Sequence, residues 1–242
     1  MSGAKPLGAR NEQEAARWVR GMFGRVAHRY DLANHLLSFN IDRYWRAHTV
    51  NKVRDILERP GARVLDICCG TGDLVLALAK TGRPVLGSDF CHPMLVAARQ
   101  KIAQRSTPAV LFESDALRLP LRDASLDLLT VAFGFRNLAN YEAGLAEVRR
   151  VLRPGGVAAI LEFSRPPNPA FAALYNLYSR RILPVIGGAI SGSRDAYTYL
   201  PDSVSKFPDA PQLAAKMCAA GFSGVDFEYL TGGIVALHLG RT

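Results

Sequence analysis

The sequence predicts an α/β fold in which helices cover both faces of a parallel sheet that ends in one reversed strand. Short apolar runs alternate with helical patterns between residues 63 and 162, an order typical of parallel sheets. The first run opens into a glycine-rich turn, Cys69-Gly70-Thr71-Gly72. The last two runs are joined by Thr231-Gly232 alone, and so short a connection permits only antiparallel pairing.

The composition is that of one globular domain. Of the 242 residues, 49% are hydrophobic and 21% are charged, which is enough apolar material for a full core. Residues 1–10 contain no apolar signal segment, and no apolar run approaches the ~18 residues of a membrane-spanning helix. We therefore expect a cytoplasmic protein with a single domain over residues 1–242.

The net charge of +9 favours a polyanion or an anionic membrane surface as a partner. The basic residues are scattered, however, without the basic runs and interleaved aromatic residues of a nucleic-acid face. A solvated basic surface is the preferred interpretation, and nucleic acid is not expected as a partner. The four cysteines have no C-x-x-C spacing, so we expect reduced, mostly buried thiols and no metal site.

Helical patterns precede the first strand. The first dozen residues are expected to form a loose tail. From Glu12 to Asn51, apolar residues then recur at spacings of three and four, as on the buried face of a helix. Because a minimal α/β domain does not need such a beginning, we expect residues 12–60 to cap the site and help form a substrate pocket.

The alternating strands and helices form a predicted ligand-binding core over residues 61–163. The last helix of this core ends at Arg153-Pro154-Gly155-Gly156, because proline lacks an N–H group and its ring blocks a continuing helix. The strands are predicted at 63–67, 84–89, 109–114, 126–132 and 156–162, and the helices at 72–80, 92–104 and 141–152.

After the fifth strand the alternation stops. Residues 164–208 begin with Ser164-Arg165-Pro166-Pro167 and continue with an apolar, aromatic stretch from Phe171 to Ile186. We expect an insertion of helices and loops at the carboxyl end of the sheet. Residues 209–242 are predicted to add a helix at 209–220 and paired strands at 224–230 and 233–239, which completes a seven-stranded sheet with its last strand antiparallel.

The glycine-rich turn is a candidate nucleotide-type site. Gly70 and Gly72 tolerate positive φ and let a ligand approach the main chain, and the helix that follows presents free N–H groups. Asp89 ends the second strand, where an acid can accept both hydroxyls of an adenosine ribose. These features fit NAD and S-adenosylmethionine (SAM) equally well.

The residues around the turn favour SAM over NAD. A dinucleotide site needs the full G-x-G-x-x-G pattern, whereas Cys68, Gly70 and Asp73 stand at the three glycine positions. Asp66, at the end of the first strand, suits a cationic ligand and would repel a pyrophosphate. The predicted fold is therefore the Rossmann-like Class I SAM-dependent methyltransferase fold, with N-terminal helices and a helical insertion after strand 5. A plain βα turn without a ligand remains an alternative.

Further motifs extend along nearly the whole chain, at 23–39, 64–74, 115–127, 132–137, 147–156, 161–166, 197–204 and 232–240. The most specific are Phe133-Gly134-Phe135-Arg136-Asn137 and Leu161-Glu162-Phe163-Ser164-Arg165-Pro166. Together these segments resemble the UbiE/MenG family of quinone C-methyltransferases. The resemblance implies transfer of a methyl group from SAM to a ring carbon of a lipophilic polyprenyl hydroquinone.

The resemblance also implies where the methyl donor binds. In that family the donor is held at positions that match Thr71, Asp89, Asp115 and Ala116, and Ala132 stands where some members have a serine. These positions and the residues around the glycine-rich turn together form the predicted SAM site. The site comprises Asp66, Gly70, Thr71, Gly72, Asp89, Phe90, Asp115, Ala116 and Ala132.

The double cysteine, Cys68-Cys69, indicates which molecule accepts the methyl group. Cys68-Cys69 stands where other members have Ala-Gly, and in this it is similar to the menaquinone-forming branch, whose substrate is demethylmenaquinol. Methylation of a ubiquinone-pathway benzoquinol, or of another small phenolic metabolite, remains an alternative.

Methylation of a quinol carbon requires a deprotonated hydroxyl, since an unionised hydroquinone supplies little electron density to its ring. We assign Arg136 and Asn137, after the fourth strand, to stabilise that oxyanion. Tyr30 and Asp31 are expected to close the pocket from the N-terminal helices, with Asp31 as a candidate proton acceptor.

Structural alternatives stay open at these positions. Arg136 could be a structural partner of Asp127 or Glu162, and Tyr30 could be a core aromatic residue. The apolar stretch at 171–190 could be ordinary core, a tunnel for an isoprenoid tail, or a surface that rests on the inner face of a membrane. A homodimer is also left open.

Two other functions compete with quinol methylation. Nucleic-acid amine methylation usually shows an Asn/Asp-Pro-Pro-aromatic cluster after the fourth strand, whereas this chain has Ala132-Phe133-Gly134-Phe135 there. A basic domain that binds SAM or membranes without catalysis would make Arg136 and Asn137 dispensable.

Overall fold

The structure is a computed structural model that describes residues 3–4, 6, 8–182, 184–185 and 194–242. Its strands are β1 Val64–Ile67, β2 Val85–Asp89, β3 Ala109–Glu113, β4 Leu126–Ala132, β5 Leu152–Phe163, β6 Ser223–Leu230 and β7 Val235–Arg241. They form a seven-stranded sheet in the order β3-β2-β1-β4-β5-β7-β6. Neighbouring strands run parallel except at β7, which is antiparallel to both β5 and β6. The predicted fold class is confirmed.

Helices surround this sheet close to the predicted positions. Short 3-10 turns occur at Ala27–Arg29, Phe135–Asn137 and Thr231–Gly233, and a π-helical turn occurs at Tyr178–Ile182. The α-helices are α1 Glu12–Val26, α2 Tyr30–Leu37, α3 Ile41–Lys52, α4 Arg54–Leu57, α5 Asp73–Ala79, α6 His92–Gln104, α7 Tyr141–Val151, α8 Pro169–Leu177, α9 Arg194–Lys206 and α10 Ala210–Ala219.

The buried residues form one apolar layer on each side of the sheet. Successive strand residues point to opposite faces, so Val64 of β1 packs with α5 and α6 whereas Leu65 packs with α7 and α10. Leu65, Leu128 and Leu129 are fully buried, and each such side chain stabilises the fold by about 1.5–3 kcal/mol. The strands are apolar on both faces because helices cover both.

Two expectations about local structure were wrong. The fifth strand begins at Leu152, before the predicted residue 156, because Leu152 already pairs with Leu126 of β4. An irregularity at Gly155, whose φ is 76°, separates this pair from the regular pairing that starts at Val157. The Gly155 N–H donates to Thr242 O at 2.8 Å, so this segment pairs with the last residue of the chain. The N-terminal tail is not loose at Ala4, which is buried and whose N–H donates to Leu138 O at 2.7 Å.

Helices α1 to α3 lie at the carboxyl ends of the strands, and we call these three helices the cap. α2 and α3 are separated by a tight turn in which Phe39 and Asn40 have left-handed φ values of 52° and 60°. The Trp18 ring of α1 lies 5.0 Å from the Tyr199 ring of α9, and Trp45 Nε1 of α3 donates to Thr231 Oγ1 at 2.8 Å. The cap therefore packs on both the insertion and the sheet.

Helices α8 and α9 and the π-helical turn Tyr178–Ile182 are the helical elements of the predicted insertion within the described residues. Leu183 and residues 186–193, which include part of the apolar stretch, lie outside the described residues. Nowhere in the described ranges does a helix combine the length and the apolar character needed to cross a bilayer.

Candidate active site

The turn between β1 and α5 is held against two neighbouring elements. Cys68, Gly70 and Gly72 have left-handed φ values of 50°, 55° and 83°, a conformation that favours glycine. The Gly70 N–H donates to Asp89 Oδ2 at 2.8 Å, which ties the turn to the end of β2. A Cβ atom on Gly72 would lie 3.3 Å from Ala98 Cβ, so Gly72 lets the turn pack closely on α6.

A cavity of about 90 Å³ lies beside this turn, and we call it the donor cavity. The predicted SAM-site residues that line it are Asp66, Gly70, Thr71, Asp89, Phe90, Asp115, Ala116 and Ala132. Gly72 is not among its lining residues, because it packs on α6 instead. Three strand ends, of β1, β2 and β4, meet here, which is where ligands bind in open α/β sheets.

Two buried carboxyl groups make the donor cavity suitable for a cation. Burial raises the pKa of Asp66 to about 7, although Thr130 Oγ1 donates a hydrogen bond to it at 2.7 Å. Burial also raises the pKa of Asp89, although the N–H groups of Cys91 and Gly70 both donate to its carboxylate at 2.8 Å. A positive charge between these carboxyl groups would favour their ionised forms, whereas a pyrophosphate would be repelled.

The cysteines are free thiols, as expected. Cys69 and Cys91 are buried, Cys68 is half-buried and Cys218 is exposed. Burial raises the pKa of the Cys68 and Cys69 thiols well above the usual range. Both line the donor cavity as neutral, unreactive groups.

A second cavity of about 710 Å³ lies between the cap and the insertion, and we call it the acceptor cavity. Phe23, Tyr30, Arg46 and Phe133 line both cavities, so the two meet at these residues. The volume falls within the range of cavities that enclose organic ligands. Its other aromatic lining residues are Phe39, Trp45, Phe163, Tyr175, Tyr178 and Tyr199.

Arg136 supplies a buried cation to the acceptor cavity. It is 5% exposed, and its Nη1 atom lies 2.9 Å from Glu162 Oε1. Nη1 also donates to Phe133 O, and Nε donates to Ser203 Oγ at 3.3 Å. The pairing with Glu162 that the sequence left open is therefore present, whereas Asp127 pairs with Arg153 instead. Although burial acts in the opposite direction, Glu162 raises the pKa of Arg136, so its charge is permanent.

Tyr30 is both a packed aromatic residue and a wall of the two cavities. Its ring contacts the Phe23 ring edge to face at a centroid distance of 5.8 Å. Burial raises the pKa of the Tyr30 phenol, while Arg136 acts in the opposite direction. Asn137 lines the donor cavity, and its Oδ1 atom accepts a hydrogen bond from Tyr199 Oη at 3.1 Å.

The structure does not bring Asp31 to the acceptor cavity. Thr71 Oγ1 donates a hydrogen bond to Asp31 Oδ1, and Lys101 Nζ lies 2.6 Å from Asp31 Oδ2. Asp31 lines neither cavity among the described residues. Its contacts dock α2 onto the glycine-rich turn, so the geometry does not support Asp31 as the proton acceptor.

Sequence reasoning missed Arg46, which lies on α3 and lines both cavities. Its Nη1 atom donates to the Asp42 carboxylate, and its guanidinium lies 5.4 Å from the centre of the Phe133 ring. The one available clue was the spacing of Asp42 and Arg46, which places an opposite charge one helical turn away. That spacing does not reveal that α3 packs against α5, which follows the glycine-rich turn.

The sequence model of the ubiE/COQ5 methyltransferase family matches residues 9–242. A curated protein of Thermus thermophilus named demethylmenaquinone methyltransferase is 49% identical over 221 residues, which cover 90% of this chain and 99% of that protein. A protein of the same name from Deinococcus radiodurans is 44% identical over 237 residues, which cover 97% of this chain and 96% of that protein.

Solved structures share the fold at low sequence identity. The [4+2]-cyclase SpnF superimposes with a TM-score of 0.69 at 16% sequence identity. The superposition covers 100% of this chain and 99% of the SpnF chain. A SAM-dependent methyltransferase from Aquifex aeolicus superimposes with a TM-score of 0.56 at 19% sequence identity. The superposition covers 79% of this chain and 88% of the Aquifex aeolicus chain. These similarities support the fold alone.

Proposed function

The chain belongs to the ubiE/COQ5 methyltransferase family and is a SAM-dependent methyltransferase, and from this premise we propose that it converts demethylmenaquinol to menaquinol. The observation that carries the proposal is the meeting of a small, acidic cavity with a large, aromatic one at Tyr30 and Phe133. The relatives that match along nearly the whole chain are named for this reaction.

On the donor side, the residues suit a ligand that carries positive charge and a ribose. When bound, SAM supplies a methyl group activated by a sulfonium. The Asp66 carboxylate provides negative charge for the cationic end of that ligand. Each Asp89 oxygen accepts one main-chain N–H and keeps a further lone pair for a ribose hydroxyl. The neutral Cys68 and Cys69 thiols add no competing charge.

On the acceptor side, Arg136 is the group that stabilises a quinol oxyanion. A phenolic hydroxyl with a pKa of ~10 is rarely ionised at neutral pH, and a guanidinium in a low-dielectric cavity lowers that pKa. Arg136 cannot remove the proton itself, because a guanidinium hardly deprotonates. Among the described residues its hydrogen bonds use Nε and Nη1, so Nη2 remains for the oxyanion. A water molecule then carries the proton away.

The function is tested by quinone profiling in cells that lack the protein. We expect loss of menaquinone and accumulation of a species that is lighter by one CH₂ group, with recovery when the chain is expressed. Purified protein should methylate demethylmenaquinol in preference to the ubiquinone-pathway benzoquinol and to small soluble phenols. An unchanged quinone profile, or a preference for either competing acceptor, would contradict the proposal.

We also infer peripheral contact with the inner face of the membrane at the rim of the acceptor cavity. Leu36, Phe39, Leu174 and Leu177 are 50%, 75%, 64% and 55% exposed, and we call these four residues the apolar rim. Phe39 itself lines the cavity, and its ring lies 6.5 Å from that of Tyr178, which follows α8. Exposed apolar residues on the helices beside a cavity suit a substrate that arrives from a bilayer.

This membrane contact is tested by co-sedimentation with vesicles that contain phosphatidylglycerol. We expect the double variant Phe39→Asn and Leu177→Gln to lose most vesicle binding, since asparagine tolerates the left-handed φ of residue 39. Val110→Gln is the matched control, because Val110 is 61% exposed on the edge strand β3. Equal binding of both variants would contradict this docking surface.

A homodimer stays a prediction, which the molar mass in solution would test.

A further inference from the structure

The charges around the donor cavity point to a role for Arg46. Four acids line this cavity among the described residues, namely Asp66, Asp73, Asp89 and Asp115. Arg46 is the one basic side chain in the same described lining. SAM carries two positive charges and also an α-carboxylate, and an anion placed among acids needs a cation or several N–H donors. On the premise of the proposed function, we propose that Arg46 binds the α-carboxylate of SAM.

The guanidinium of Arg46 has donors left for such a contact. Its side chain is 12% exposed, and Nη1 donates to Asp42 Oδ2 and, at 3.3 Å, to Asp42 O. No hydrogen bond to a described residue uses Nε or Nη2, and Nη2 lies 3.9 Å from Asp73 Oδ2. Because guanidinium groups hold five N–H donors in a fixed plane, two of them can bind a carboxylate together.

The neighbouring acids Asp42 and Asp73 do not depend on Arg46 alone for a positive partner, because each also contacts another basic side chain. Asp73 Oδ1 lies 2.7 Å from Lys101 Nζ. Asp42 accepts a hydrogen bond from Ser38 Oγ at 2.6 Å, and its Oδ2 atom lies 2.8 Å from His35 Nδ1. Lys101 and Arg46 hold the pKa of Asp73 below its usual range, although burial would raise it. Arg46 and Asp73 are the members of this network that line the donor cavity.

The position of Arg46 also fixes which part of the chain would contact the donor. Asp66 and Asp89 belong to the sheet, whereas Arg46 belongs to α3 of the cap. A carboxylate bound by Arg46 would therefore lie under the cap, next to Phe133, where the donor and acceptor cavities meet. Arg46 is in this sense a positioning residue, since it orients the donor without taking part in methyl transfer.

The test compares ligands with and without the carboxylate. Dissociation constants for SAM, S-adenosylhomocysteine and decarboxylated SAM are measured by calorimetry on the wild type, Arg46→Ala and Arg46→Lys. We expect Arg46→Ala to weaken binding of the two carboxylate-bearing ligands by roughly 10- to 100-fold, the usual loss for a hydrogen bond to a charged group. Binding of decarboxylated SAM should not change. Arg46→Lys should show an intermediate loss, because lysine keeps the charge but not the planar fork.

A control separates this assignment from general damage to the cap. Arg43 lies on the same helix and is exposed, so Arg43→Ala should bind all three ligands like the wild type. An equal loss for ligands with and without the carboxylate would show that Arg46 only supports the cap, and would overturn the proposal. Normal SAM binding by Arg46→Ala would overturn it as well. A wild type that binds none of the ligands would overturn the proposed function itself.

Discussion

At Arg136, one guanidinium serves the packing of the site and, in our proposal, its chemistry. It pairs with Glu162 at 2.9 Å and lies over the Phe163 ring at 5.2 Å. Both groups of this ion pair are buried, so removal of either partner alone would leave an uncompensated charge. A variant that removes the charge of Arg136 should therefore also remove the charge of Glu162.

We expect the double variant Arg136→Gln and Glu162→Gln to lose roughly 100-fold or more in kcat, as when an oxyanion-hole donor is removed. Glu162→Gln alone keeps the guanidinium in the cavity without its partner, so this variant measures separately the effect of losing the ion pair. Single-turnover rates with demethylmenaquinol measure the effect, and calorimetry verifies that SAM still binds. If the double variant reacts as fast as Glu162→Gln, the oxyanion role of Arg136 is wrong.

Asp66 predicts how donor binding depends on pH. Its pKa is raised to about 7 by burial, and a cationic donor prefers the ionised carboxylate. Below pH 7 a proton must therefore leave before the donor binds, so affinity should fall by up to about tenfold per pH unit. Above the pKa the affinity should level off. Titration calorimetry at pH values on both sides of 7 measures this, and Asp66→Asn should flatten the profile. The same profile in Asp66→Asn and the wild type would exclude Asp66 as its source.

At the scale of elements, the cap and the glycine-rich turn are joined by an ionic cluster. Lys101 of α6 lies between Asp31 of α2 and Asp73 of α5, at 2.6 Å and 2.7 Å. The three side chains are 19%, 32% and 23% exposed, so solvent screens them only in part. The N-terminal helices are thus held against α5 and α6 by charge as well as by apolar packing.

Lys101→Met should destabilise the protein by roughly 1–3 kcal/mol, because two carboxylates would face each other without a cation. Urea unfolding measures the change in the free energy of unfolding. Lys206→Met is the matched control, since Lys206 pairs with Asp202 at 2.7 Å on the surface of α9 with both side chains more than 40% exposed. Such exposed pairs contribute about 0–1 kcal/mol. An equal loss in both variants would contradict a structural role of the cluster.

For the whole molecule, the donor cavity lies where the sheet, the cap and the loops after the strands meet, so a donor bound there as we propose would contact all three. A ligand that binds only the folded state adds RT ln(1 + [L]/Kd) to stability, which is about 2.7 kcal/mol at 100 times Kd. For a domain of this size that corresponds to a rise in Tm of roughly 5–10 °C. We expect this shift with SAM and with S-adenosylhomocysteine, and none with NADH. Differential scanning fluorimetry measures it, and a larger shift with NADH would contradict the donor assignment.

Local patterns in the sequence predicted most of the fold. The period of apolar residues separates strands from helices. The connection predicted at Thr231-Gly232 spans residues 231–234 in the structure, and it is still short enough to determine that β7 runs antiparallel to β6. Asp66 and Asp89 could be placed in one site because parallel strands bring their carboxyl ends to one edge. Gly72 was placed there too, but its conformation serves packing on Ala98.

Only the tertiary structure decided how the site is completed. The contact of Asp31 with Thr71 joins residues 40 positions apart, and that of Arg136 with Ser203 joins residues 67 positions apart. Such contacts depend on how the cap and the insertion pack on the sheet, and periodicity describes one element at a time. For this reason the sequence by itself determined the fold and the glycine-rich turn, whereas packing placed Asp31 outside the acceptor cavity and Arg46 where the two cavities meet.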